Sequence, residues 1–120
     1  MDISQFVGLV FDKIEVVDER EIIFTTSNGD IYKMMHFQDC CEDVRVEDIC
    51  GDLETLIGYP ILISEMVTNE GNDDEGFEHF TWTFYKLSTI LGSVTIRWYG
   101  SSNGYYSEEV SIIKVDKEDI

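Results

Sequence analysis

Proline is almost missing, with Pro60 alone among 120 residues, and basic side chains are nearly as scarce, eight Lys and Arg against 25 Asp and Glu. No stretch rich in Pro, Gly or Ser separates one part of the chain from another, so nothing reads as a linker. A chain of this length forms one ordinary domain, here residues 1–120. The shortage of bases leaves a net charge of −17, far outside the magnitude of about 2–8 that suits a small domain. Such an excess repels itself in the compact state. It also disfavours two classes of partner. Nucleic-acid phosphates and anionic membranes both require clustered Lys and Arg, which this chain does not have. A basic protein surface is the natural complement.

Long apolar runs are absent too. No segment approaches the roughly 20 residues needed to span a bilayer. The first residues, MDISQFVGLVFDKIEVV, have neither a basic n-region nor an extended apolar h-region. The three cysteines are an odd number, contain no CxxC spacing, and include the neighbours Cys40 and Cys41, between which a bridge is geometrically unfavourable. The expectation is a soluble cytoplasmic protein with reduced thiols, host-cell cytoplasm if a phage encodes it.

Apolar content is nevertheless 43% and aromatic content 12%. That is enough for a core able to bury roughly two-thirds of the unfolded surface. The apolar residues alternate more often than they recur at helical spacing, and β-branched and aromatic types dominate the alternating runs. Strands are expected at 10–17, 21–26, 30–37, 44–49, 61–67, 80–89, 93–100 and 105–115. Asn28-Gly29 predicts a type I′ hairpin turn. GDLETLIG (51–58) reads as a short helix capped by Asp52 and closed by Gly58 and Pro60, and a further helical turn fits residues 2–8. Residues 68–79, TNEGNDDEGFEH, read as a long acidic loop, and 116–120 as a frayed tail. The predicted class is α+β, mostly β: a twisted antiparallel sheet or partly closed barrel of about seven strands with one short helix.

With these elements placed, the chain resembles a small uncharacterised family of phage and bacterial proteins. The shared pattern is carried by His36, Asp39-Cys40-Cys41-Glu42, Glu47-Asp48-Ile49, GDLETLIG (51–58), TWTFYK (81–86) and RWYGSSNGYYSE (97–108). The resemblance covers roughly residues 10–110. It implies context only, a short protein encoded by a phage or another mobile element, and transfers no activity and no catalytic residue.

Several constellations could carry chemistry. His36, Asp39, Cys40 and Cys41 lie close enough in sequence to suggest a metal site, with Cys50 as an added ligand. Zinc, however, prefers C-x2-4-C spacing, and adjacent residues of a strand face opposite ways. Packed thiols are the simpler reading. A thiol nucleophile needs nearby positive charge, and these thiols sit among carboxylates. The chain has no Gly-rich loop followed by a helix for phosphate, so no cofactor is expected. SNGYYSEE reads either as a turn with Asn103-Gly104 at positive φ or as a contact patch in which Tyr105 and Tyr106 join Arg97 and Trp98, residue types common in binding hot spots.

The acids are the most informative pattern. Residues 39–78 hold thirteen acids and one base, net −12. One reading is a solvated surface. The other is nucleic-acid mimicry, since carboxylates on one strand face recur about every 6.8 Å, comparable to a phosphate repeat. On this reading the chain is a non-enzymatic inhibitor that binds the basic surface of a nucleic-acid enzyme or host defence effector, an anti-CRISPR-type protein being one example. Glu42, Asp43, Glu47, Asp48, Asp52, Glu54, Asp73, Asp74 and Glu75 are its expected contacts, with Tyr105 and Tyr106 as anchors. The alternative is a small ligand- or ion-binding module in which Asp39–Glu42 and the SNGYYS turn line one pocket. Mimicry requires the acids to share an exposed face; the alternative requires His36, Asp39 and Asn103 to converge.

Overall fold

The computed structural model describes residues 2–72 and 78–115. Eight strands lie in two antiparallel sheets of four. The first sheet contains β1 (Phe11–Val17), β2 (Glu21–Thr26), β3 (Ile31–Met35) and β8 (Ser111–Val115), in the order β1-β2-β3-β8. The second contains β4 (Asp43–Cys50), β5 (Ile63–Asn72), β6 (His79–Thr89) and β7 (Gly92–Ser102), in the order β4-β7-β6-β5. The mostly-β antiparallel class is as the sequence predicts. The strands pair as two open sheets instead of one sheet or a barrel.

Alternation explains which side of each strand is buried. Ile22 and Phe24 of β2, Tyr32 and Met34 of β3 and Ile112 of β8 point inward from one sheet; Val44 and Val46 of β4, Tyr85 and Leu87 of β6, and Val94, Ile96 and Trp98 of β7 point inward from the other. Together they form a single hydrophobic cluster. The Trp98 indole N–H donates to Met34 Sδ at 3.1 Å across the interface, satisfying the one polar atom of an otherwise apolar ring. Phe6 seals one end, with its ring centroid 5.2 Å from Phe11, 5.2 Å from Phe24 and 5.3 Å from Tyr32. It sits on a 3-10 turn, Ile3–Phe6, capped by the Asp2 carboxylate.

Three elements differ from the sequence expectation. The helix expected at 51–58 is a 3-10 turn of four residues, Leu53–Leu56, with Asp52 accepting from the Glu54 N–H at 3.0 Å as the expected cap. Five residues between the Asp52 cap and a positive-φ Gly58 leave too few positions for successive α-helical bonds. The loop expected at 68–79 is strand through Asn72, because Thr68 to Asn72 pair with Thr83 to His79; cross-strand partners override the polar composition. Residues 73–77 lie outside the described residues, as does the tail at 116–120. The strand expected at 105–115 begins only at Ser111, since residues 103–110 cross the second sheet instead of pairing.

The turns also exchange roles. In the β2–β3 hairpin only Gly29 has positive φ, 91°, and its N–H donates to the Thr26 carbonyl at 3.0 Å. This is a turn followed by a left-handed glycine, not type I′. The two consecutive positive φ angles belong to Asp18 (51°) and Glu19 (59°) in the β1–β2 turn, where side chains pay a steric cost of about 1 kcal/mol or more each. Docking compensates: the Glu19 carbonyl accepts from the Val46 N–H at 2.7 Å, and Arg20 donates to the Val44 carbonyl at 2.9 Å. Glu19→Gly relieves one strained position and is expected to raise the free energy of unfolding by up to about 1 kcal/mol in urea titrations.

Candidate functional site

Both histidines of the chain pair with buried glutamates at one end of the second sheet. The first pair forms where the chain turns between β3 and β4. His36 Nε2 and Glu42 Oε2 are 2.7 Å apart, with side-chain exposures of 5% and 0%. Backbone N–H groups of Asp39 and Cys40 donate to the same carboxylate at 2.9 and 2.8 Å, and the Gln38 side-chain amide donates to it at 3.2 Å. The segment therefore wraps a single anion. Burial pushes the Glu42 carboxyl up, but the hydrogen bonds from Cys40, His36 and Asp39 outweigh it and hold it down at about 2. The other ring nitrogen, Nδ1, lies 2.7 Å from the Glu109 carbonyl. Both partners are acceptors, and each ring nitrogen of His36 lies within hydrogen-bond distance of one of them.

The second pair lies next to it. Glu108 is buried, its side chain 3% exposed. Its carboxylate accepts from Thr81 Oγ1 at 2.7 Å, Ser102 Oγ at 2.5 Å and His79 Nδ1 at 2.9 Å. These bonds fasten residues 103–110 across the inner face of β6 and β7. Gly100 makes the crossing possible, because a Cβ there would meet Glu108 Cβ at 2.9 Å and Val44 Cγ2 at 3.2 Å. Two cavities flank the crossing segment. One, of about 380 Å³, is lined by Thr68, Glu70, His79, Tyr106 and Glu109 among others. The other, of about 320 Å³, is lined by Cys41, Glu42, Glu78, Ser102, Asn103 and Tyr106 among others. Tyr106 stands between them.

The residues expected to contact a partner fall into five groups. Glu42 is not on the surface; its carboxylate is fully enclosed because it neutralises the backbone donors of its own turn. Asp43, Glu47 and Asp48 do lie on the outward side of β4, but among bases: Arg45 pairs with Asp43 and Glu47, Arg20 also pairs with Asp43, and Arg97 approaches Asp48 at 3.6 Å. A bulge at Glu47 keeps Asp48 outward beside Arg97. Asp52 and Glu54 are exposed on the second 3-10 turn, in a separate place. Asp73, Asp74 and Glu75 lie outside the described residues. Tyr105 is 83% exposed and Tyr106 half-buried, their rings 5.0 Å apart. Neither meets Trp98, which is in the core, nor Arg97, which faces out; neighbours on a strand point to opposite sides.

The alternative metal ligands His36, Asp39, Cys40 and Cys41 do not form a ligand set. Both nitrogens of His36 are engaged, and Cys40 and Cys41 are joined by a disulfide, contrary to the expectation of free thiols. The turn around the Glu42 carboxylate brings the neighbouring sulfurs together. Cys50 is a free, exposed thiol. Among the described residues no three His, Cys, Asp or Glu side chains could hold a metal ion.

Sequence reasoning singled out SNGYYSEE, which contains Ser102 and Glu108, but gave neither a role, and it missed His79 and the part played by Thr81. It also missed the outward face of the second sheet. There Trp82 lies 4.6 Å from Tyr99 and 6.5 Å from Phe84, with Arg97 5.2 Å over the Trp82 ring and Arg45 5.4 Å over Tyr99. The cross-strand register pairs Trp82 with Tyr99 and Phe84 with Arg97.

A family model described as a domain of unknown function, DUF7448, matches residues 4–112, and the chain belongs to that family. No curated protein and no solved structure matches it.

Two measurements check this geometry. A carboxyl lowered from 4.5 to about 2 contributes stability in full above its unfolded value, and that contribution is lost as pH falls from the one toward the other. Glu42→Gln is expected to be less stable than the parent at neutral pH and to lose less on acidification across that window, read from urea midpoints. Gly100→Ala is expected to cost about 1–3 kcal/mol and to speed amide exchange in 103–110, where the crossing segment must lift.

Proposed function

We propose that this chain of the DUF7448 family is a non-enzymatic acidic interaction protein whose partner presents a basic, nucleic-acid-binding surface. The observation that carries the reading is how the charges are paired. Among the described residues, Lys13, Arg20, Lys33, Arg45, Arg97 and Lys114 each pair with an acid of the same chain, and Lys86 stands opposite Glu65. The bases are thus used internally, and the surplus left exposed is of one sign: Asp12, Asp18, Glu19, Asp39, Asp52, Glu54, Glu70 and Glu109. A surface of this kind attracts a basic groove over a distance of a Debye length and associates rapidly in a salt-dependent way. By occupying such a groove the chain would exclude DNA or RNA. Phage or mobile-element origin and action on a defence effector in the host cytoplasm belong to this proposal. So does a shift in the contact set, from the internally paired Asp43, Glu47 and Asp48 toward Asp52, Glu54 and Asp12. The last two line one cavity, together with Lys13 and Glu15.

One observation favours a second reading, a small-ligand module. The cavity that unites Glu42 with Ser101, Ser102, Asn103 and Tyr106 joins the DCCE and SNGYYS segments. His36 reaches it only through Glu42.

Capture of partners on the immobilised chain at low salt distinguishes the two. The interaction reading expects a nucleic-acid-binding protein that is released by a salt gradient and displaced by added DNA. Reversal of Asp12 or Glu54 to Lys is expected to weaken retention by up to roughly fivefold each, the scale of one exposed ion pair, and Glu47→Lys with Asp48→Lys is expected to weaken it as well, since it also leaves Arg97 without its carboxylate and Arg45 with Asp43 alone. Retention indifferent to DNA, or no protein retained above background, would sink it. Stabilisation by a small molecule that Tyr106→Ala abolishes would support the module.

A further inference from the structure

Each four-stranded sheet ends in two edges, and most of them are closed. The β4 edge is capped by the β1–β2 turn, through Glu19 and Arg20. The β1 edge is covered at its start by Ile57, Gly58 and Pro60, and its remainder carries Lys13 and Glu15. The β8 edge is only five residues long. β5 is different. Its start is covered, with Gly8 N–H donating to the Ile61 carbonyl at 2.8 Å and Ser64 Oγ to the Ile3 carbonyl at 2.5 Å. Beyond that, Glu65 to Glu70 are exposed without interruption.

Of the usual devices that protect an edge, this stretch has only the charges of Glu65 and Glu70. It contains no proline, Lys or Arg. Its register against β6 runs without a bulge from Ile63 to Asn72. It exposes Met66 at 51% and Val67 at 60%. A regular strand bonded on one side leaves alternate N–H and C=O groups directed outward, the template that strand addition uses. On its inner face Thr68 and Glu70 form one wall of the cavity that also holds His79, Tyr106 and Glu109. Among the described residues that cavity is lined by carboxylates and hydroxyls and by no Lys or Arg.

We infer that β5 is a docking edge for an extended basic segment of another protein, which adds as a fifth strand and places a Lys or Arg side chain over the cavity at Glu70. The inference rests on the interaction reading above and names how the partner is held. Charge complementarity selects this occupant over a second copy of the chain. Antiparallel pairing of two β5 strands about Val67 and Thr68 sets Glu65 opposite Glu70 twice, between chains that each carry −17. In a strand that alternates Lys with Val or Thr, the Lys side chains lie on the cavity side with Met66, Thr68 and Glu70, while the Val and Thr side chains lie over Val67 on the other side.

The test uses the full chain and two capped peptides, acetyl-Lys-Val-Lys-Thr-Lys-Val-Lys-amide and the same sequence N-methylated at every residue. They carry equal charge, but the second has no backbone N–H in its sequence to donate along either edge. The unmodified peptide is expected to bind at low salt and to slow amide exchange in 65–70. N-methylation is expected to weaken binding at least about tenfold, as loss of two or more backbone hydrogen bonds implies. Glu70→Gln is expected to weaken the unmodified peptide a few-fold. Equal binding of both peptides would overturn strand addition while leaving charge-driven association intact. Failure of both to bind, or an edge already occupied by a second copy in sedimentation, would overturn it as well. The capture of a nucleic-acid-binding protein is an independent outcome and decides the broader reading separately.

Discussion

The crossing of residues 103–110 over the second sheet depends on one buried carboxylate, and the local architecture follows from it. Glu108 cannot be desolvated unless its oxygens are bonded, and its three donors come from β6 and β7. Once it is seated, Gly100 must lack a side chain, the backbone of Glu109 is set where His36 can donate to it, and His36 in turn faces Glu42. Two glutamates and both histidines thereby become one chain of contacts. It joins the turn before β4 to the loop before β8, and Tyr106 is left between two cavities as a consequence. Buried ionic groups of this kind contribute little net stability but are costly to break one at a time.

The rest of the charge is distributed by a different rule. A chain with 25 acids and eight bases has few cations, and the described ones are placed against carboxylates on the same strand or on neighbouring strands and turns. Arg45 and Arg97 also lie over Tyr99 and Trp82. The bases thus support the aromatic rows of the outward sheet face and relieve repulsion along β4. What remains outside is nearly uniform in sign. The excess opposes compaction, and the core offsets it through the Phe6 aromatic cluster and the inward rows of both sheets.

Strand positions were largely legible because alternation reports burial directly: EIIFTT, TWTFYK and SVTIRW each bury every second residue as read. Turn types were less so. Asn28-Gly29 looked like a type I′ turn and is not, whereas Asp18-Glu19 adopts two positive φ angles that neither residue favours, held by bonds to β4 far along the chain. The candidate site was legible only in part. Asn103, Tyr106 and Glu42 were singled out and do share a cavity, but Glu42 was expected on the surface. Nothing in DCCED distinguishes the acid that its own backbone encloses from the acids beside it.

By itself the sequence determined the antiparallel β class, the cap at Asp52, and the excess of negative charge, because each depends on composition or on residues a few positions apart. Tertiary structure alone decided the split into two sheets, the extension of β5 through a polar stretch, the pairing of His36 with Glu42 and His79 with Glu108, and which carboxylates find a base. Those depend on which strands become neighbours, and a long-range contact between ordinary residues leaves no local trace in the order of amino acids.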